Sequence, residues 1–256
     1  SHIPAEVQAA QRPRPASIGG DRRELGLPEA QIALIDAAVA SGKPVVVVIV
    51  AGSAVMVEGW HDRAGAILQT FYSGMEGGTA LARLLFGDVS PSGRLPFTVM
   101  REAKDYPAFD IDARAIDYDH WHGYAKADRD GITPRFGFGH GLSYTEFALR
   151  SAMARARPDA IELSVAVTNT GNVAAETTVL AFVSPPGGIE RWSRALQAFS
   201  RVRLVPGETK IVRLAIDRAA IWWRDPVAHC WREEAGNYAV NFSTGIDYAT
   251  ATSFSV

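Results

Sequence analysis

The sequence predicts an α/β unit with a largely parallel sheet, followed by an all-β sandwich of immunoglobulin type. Three observations carry this. Residues 45–50 (VVVVIV) are β-branched throughout and do not alternate, which is how a parallel strand covered on both faces reads. Up to about Val99, strand-like runs alternate with helix-like stretches, the signature of an α/β layer. Beyond Phe147 the pattern changes to period two, with short strands and regular turns over roughly 110 residues.

Each element follows in order. Residues 1–24 form an irregular lead-in, because Pro13 and Pro15 disfavour helix and Gly19-Gly20 adds a turn. Residues 25–145 form the α/β unit. Pro28 suits the first turn of a helix, Ile32, Ile35 and Val39 share one face, and Gly42 is its stop. The strand at 44–50 follows, then a possible short helix over 55–63 and a second apolar strand over 66–71. Residues 73–78 turn the chain into a helix over 79–86, closed by Gly87. Residues 95–99 are a third candidate strand, and Pro96 favours an edge. Three strands leave such a sheet short of cover, so the unit reads as cut short on its N-terminal side. Its open edge beside 45–50 is then expected to be occupied by another polypeptide. Residues 100–146 form a long aromatic, Asp-, His- and Gly-rich connection with little periodicity. The sandwich occupies 146–256, with strands over 161–167, 178–183, 196–204, 210–216 and 238–242.

Composition excludes several function classes. With 47% apolar and 21% charged residues the 256-residue chain is not disordered as a whole. A formal net charge of -2 provides no basic field for nucleic acid or an anionic membrane. The apolar run at 45–51 is far shorter than the roughly 20 residues of a membrane span. The first residues lack the basic start and apolar core of a signal peptide. Cys230 stands alone, so no disulfide framework or cysteine-based metal site is expected. A soluble protein is expected, its compartment (periplasmic, secreted or cytoplasmic) left open.

Several strings resemble the C-terminal half of family 3 glycoside hydrolases, the β-glucosidase family. They are Gly20-Asp21-Arg22 with Leu25-Gly26-Leu27-Pro28, the strand entered through Gly42-Lys43-Pro44, residues 87–96 (GDVSPSGRLP) and residues 136–145 (FGFGHGLSYT). Residues 167–171 (VTNTG) and 205–209 (VPGET) resemble the family's fibronectin type III-like domain. The resemblance spans about residues 17–256 in order. It implies the later part of a three-layer α/β sandwich domain, and a barrel domain carrying the nucleophilic Asp in a Ser-Asp-Trp-like context that is not found here. The missing barrel would lie on the same polypeptide or on a partner chain, and a homodimer is a further arrangement for the open edge.

The implied chemistry is retaining hydrolysis of terminal β-linked glucose from a β-glucoside or oligosaccharide, with no cofactor. It needs two carboxyl groups about 5–5.5 Å apart. Many family members carry the acid/base Glu two or three residues before the Asp-Arg pair, where this chain has Ile18 and Gly19, neither able to transfer a proton. Glu6 is the only carboxylate upstream, so no catalytic residue is assigned here. Asp21 and Arg22 are candidates for binding a sugar hydroxyl, against an ion pair or turn cap before the helix. Asp88 reads as a turn organiser and Glu76 as a helix-start residue favouring the dipole. His120 and His122 stand beside Asp117 and Asp119. Metal binding would need further ligands, so they read as loop histidines and no metal is expected. Trp121 is a candidate sugar-stacking residue together with Tyr118, or else cement between the two units. Trp222, Trp223 and Trp231 read as sandwich packing or edge residues, structural in either case. The alternative function is a non-catalytic sugar-binding or interaction module derived from the same family.

Overall fold

The computed structural model describes residues 24–110, 112–245 and 248–256. Helix α1 (Glu29–Ala40) starts after Pro28, which takes the N-cap position, and Glu29 sits in the first turn against the positive helix end. The Ser41 hydroxyl donates to the Ala38 carbonyl, and Gly42 turns away at φ +71°. Strands β1 (Val46–Ile49) and β2 (Ala66–Gln69) pair in parallel, Val46 opposite Ala66. Ile32, Ile35 and Val39 of α1 pack on Val47, Ile49 and Ile67 beside the buried Val55, Val57 and Trp60.

Helix α2 (Gly77–Leu85) buries none of its residues, and Leu85 and Phe86 stay exposed. In place of the expected helix over 55–63, residues 58–63 form hydrogen-bonded turns, with His61 N–H donating to the Val57 carbonyl.

Two expectations need correction. Residues 95–99 are not a strand. Val99 forms one antiparallel bridge with Phe136, and Leu95 exchanges backbone hydrogen bonds with the 139–140 turn. Pro96 has no N–H for a ladder, which is the physical reason. The parallel sheet among the described residues is therefore β1 and β2 alone. Nor is the strand at 45–50 covered on both faces. Ile49 is buried in the cluster with α1, whereas on the other face Val46 is 42% and Val50 65% exposed, with Val48 between them half-buried.

The connection is less irregular than its sequence. It holds a 3-10 turn (Ala103–Asp105) and helix α3 (Gly123–Asp130), which ends at Gly131 with φ +65°. Only Ala125 and Ala127 of α3 are buried, so it has no long apolar stripe to be read from sequence.

The sandwich pairs a three-stranded sheet with a four-stranded one. The first runs β3 (Phe147–Ala156), β4 (Ala160–Asn169), β7 (Thr209–Asp217). The second runs β11 (Tyr248–Ser255), β10 (Asn237–Ser243), β5 (Ala175–Ser184), β6 (Ala195–Leu204). Every pairing within these sheets is antiparallel. A short hairpin of β8 (Trp223–Asp225) and β9 (Cys230–Arg232) projects from it. Ile161, Leu163, Val165 and Val167 of β4 face Val179, Ala181 and Val183 of β5 and Val240 and Phe242 of β10 in one core.

The two units are pinned together. Arg94 of the 87–96 string donates from Nε to the Thr244 carbonyl at 2.7 Å and from Nη2 to Thr177 Oγ1 at 3.1 Å. The Tyr144 hydroxyl donates to the Leu84 carbonyl at 2.8 Å, tying the C-terminal end of α2 to the approach of the sandwich.

Candidate substrate-binding surface

Asp21 and Arg22, with Ile18, Gly19 and Glu6, lie outside the described residues.

Parallel α/β sheets gather ligands at the carboxyl ends of their strands. Here that edge is made by the loops after β1 and β2. Gln69 Nε2 donates to the Ala51 carbonyl and Thr70 Oγ1 to the Ile49 carbonyl, locking the two loop starts together. Phe71 takes φ +53° and packs edge-on against Phe97, 6.0 Å between centroids. Gly52 lies close under the Tyr72 ring, 2.9 Å from where a Cβ would stand, so a larger residue there would push that exposed ring aside. Tyr72 and Met75 project into solvent. Glu76 takes the N-cap position of α2 without a side-chain capping bond, which agrees with a role at the helix start. The turn at Asp88 is held by Gly87 at φ +82° and by the Ser90 hydroxyl, which accepts from Tyr144 N–H.

The aromatic connection lies on the sandwich. Trp192 Nε1 donates to the His120 carbonyl at 2.9 Å, and Leu196 N–H donates to the Tyr124 hydroxyl. Arg194 makes a two-pronged pair with Asp128 at 2.6 and 2.9 Å, and its guanidinium lies over the rings of Tyr124 and Phe182. Trp121 is half-buried. His120 packs 4.7 Å from it, and the Arg129 guanidinium lies 4.9 Å from its ring centroid. Asp119 Oδ1 accepts from Trp121 N–H and fixes the backbone there. The rings of Tyr118 and His122 stack, and His122 meets Trp192 edge-on. Both histidines therefore pack among aromatic rings, and no cluster of metal-binding side chains occurs among the described residues.

Electrostatics at the junction centre on Arg94, Glu58 and His140. Arg135 donates to both Glu58 oxygens at 2.6 and 2.9 Å, which holds the Glu58 carboxyl below its ordinary range. Burial, with the nearby Arg94 charge, pushes the His140 imidazole below its ordinary value. The Arg94 guanidinium is lowered by desolvation alone.

Two cavities border the sandwich. One of about 260 Å³ lies where it meets the α/β unit, between Thr98, Asp128, His140 and Arg194. The other, about 230 Å³, opens beside Trp192 and Trp222. Trp222, expected from sequence to be a packing or edge residue, is 40% exposed and lines this second cavity. Trp231, on the projecting hairpin, is 62% exposed.

Comparison with known proteins places this geometry. Residues 6–144 match the glycosyl hydrolase family 3 C-terminal domain, and residues 177–244 match the fibronectin type III-like domain. A probable beta-glucosidase I of Aspergillus clavatus is 34% identical over 254 residues, covering 93% of this chain and 30% of that protein. The crystal structure of a beta-glucosidase from Bifidobacterium adolescentis superposes with a TM-score of 0.86 at 31% identity, covering 97% of this chain and 37% of the other. A beta-glucosidase from Kluyveromyces marxianus, solved in complex with glucose, superposes at 0.85 with 30% identity, covering 93% and 30%. The chain spans about a third of the length of the relatives it matches. It belongs to glycosyl hydrolase family 3, through that family's C-terminal domain and the fibronectin type III-like domain that follows it.

Proposed function

We propose that this chain is the C-terminal portion of a retaining β-glucosidase that releases terminal β-linked glucose from a β-glucoside or oligosaccharide. The observation that carries the reading is the collinear match of both units to beta-glucosidases of which the chain spans only about 30%. In this reading residues 1–24 lead in, residues 25–145 are the later part of a three-layer, mostly parallel α/β sandwich, and residues 146–256 are the fibronectin type III-like sandwich. A barrel domain on the same or a partner polypeptide supplies the nucleophile. Asp21, Arg22 and Trp121 contribute substrate contacts: the first two bind hydroxyls, and the indole stacks on the apolar face of a sugar ring.

The exposed Val46, Val50, Tyr72 and Phe86 support a further polypeptide lying against the α/β unit. That polypeptide is the rest of a longer chain, a partner chain or a second copy. Ile18 and Gly19, where many members carry the proton-transferring Glu, favour a second reading, a sugar-binding module without hydrolysis of its own.

The test compares the isolated chain with the same chain joined to, or mixed with, a family barrel domain, using an aryl β-glucoside. No turnover is expected from the isolated chain, because the covalent route needs the nucleophilic carboxylate. Turnover with the β-anomer of glucose released first is expected from the assembly. Hydrolysis by the rigorously purified chain alone overturns the division of labour, and sugar binding without turnover in the assembly favours the second reading.

A further inference from the structure

We propose that the groove of about 230 Å³ on the sandwich is a carbohydrate-binding site sized for one or two sugar rings. The choice of sugar as the ligand class rests on the glycosidase reading above; the groove's geometry does not. Its floor is Tyr238 on β10 and Ile221, both buried, and its walls are Trp192 and Trp222. Arg191 and Gln197 bring polar groups to it. A concave, aromatic-lined surface with few polar groups is the usual form of a small-molecule site. This one falls below the roughly 300 Å³ at which drug-sized pockets begin.

The state of Arg191 narrows the ligand. Its Nη2 donates to Glu234 at 2.6 Å and its Nη1 to the Ile221 carbonyl at 3.1 Å. Glu234 thus balances the charge, and an anion gains little by entering. The Arg191 Nε–H, however, is buried without a hydrogen-bond partner. That nitrogen has no accessible surface and is closed to a ligand, so the polar group an occupant of the groove can reach is Gln197. Gln197 donates from Nε2 to the Ala220 carbonyl, leaving its amide oxygen to accept from a hydroxyl. A neutral ligand with hydroxyls and an apolar C–H face donates to that oxygen while covering indole surface. Sugars have that chemistry. The site is also pre-set, because Trp192 is fixed by its bond to the His120 carbonyl and by edge contacts with His122 and Tyr124.

The chain has six tryptophans, so labelling their indole nitrogens gives six resolvable signals. Titration of the whole chain with cellobiose is expected to shift the Trp222 and Trp192 signals saturably and leave Trp231 unmoved. Trp222→Ala, at a partly exposed position, is expected to weaken binding about tenfold or more. The proposal is overturned by a Trp222 signal that stays still, by binding that survives Trp222→Ala, or by a response to sulfate in place of the sugar. Because the wild-type titration needs no variant, a misfolded Trp222→Ala leaves the test intact. Hydrolysis by the assembled enzyme with no shift at Trp222 sinks the groove and spares the glycosidase reading. A shift without hydrolysis does the reverse.

Discussion

Asn169, at the end of β4, is fully buried and saturated. Its Oδ1 accepts from the Thr145 hydroxyl at 2.7 Å and from Gly171 N–H at 3.1 Å, and its Nδ2 donates to the Val173 and Leu204 carbonyls. One amide side chain thus joins the end of the connection, the turn after β4 and the end of β6. Gly171 is required beside it, since a Cβ would collide with Thr145 Oγ1. Asn169→Ala strands these donors and acceptors inside the protein, at a cost of about 3 kcal/mol. The melting temperature is expected to fall by roughly 5–10 °C. A change within error shows that the network carries no net stability. His140 sets a pH limit at the same scale. Its folded value lies below the unfolded one, so the unfolded state binds the extra proton and stability is lost as pH falls below about 6.5. His140→Gln is expected to flatten the slope of denaturation midpoint against pH between pH 7 and 5. An unchanged slope assigns the loss to other groups.

At the scale of elements, the sandwich and the α/β unit are built on different terms. Every strand of the two main sheets pairs within residues 147–255, and their inner faces form one core. Up to residue 99 the described part of the α/β unit holds a pair of parallel strands, one helix packed on them and a second helix that buries nothing. Isolated two-stranded pairings are marginal in water, whereas a sandwich with its own core is a folding unit. Residues 146–256 expressed alone are therefore expected to fold cooperatively with the circular dichroism of a β protein. A disordered spectrum shows that the Arg94 pin and the connection are needed for the sandwich to form.

For the whole molecule, the exposed apolar residues concentrate on the α/β unit and its loops. Leu34, Val50, Tyr72, Met75 and Phe86 are each well exposed, with Met75 fully so. Contiguous apolar surface and open strand edges favour association. The isolated chain is expected to self-associate in dilute solution, as sedimentation velocity reports, and to bind a hydrophobic dye. Val46→Lys and Phe86→Glu together are expected to reduce both. A stable monomer that takes up no dye shows that the unit closes on itself.

Much of the order of elements was legible in sequence because those elements carry their own local pattern, whereas β3 and β11 were not among the expected strands. The β-branched run makes β1, the spacing of Ile32, Ile35 and Val39 makes α1, and alternation makes β4 and β7. Tertiary structure decided the rest. Helix α3 has only two buried alanines to mark its face, so its place is set by Tyr124, Asp128 and the sandwich residues they meet. Residues 95–99 have strand-like composition, yet hydrogen-bond partners, together with the missing N–H of Pro96, reduce them to a single bridge. The face of β1 left open is invisible in sequence, because burial depends on what lies across from a side chain and not on its own apolarity. The groove beside Trp222 joins side chains from distant parts of the chain, Trp192 and Trp222 among them, and no local spacing encodes such a meeting. Periodicity reports the faces an element offers; only the folded chain determines which of them are covered.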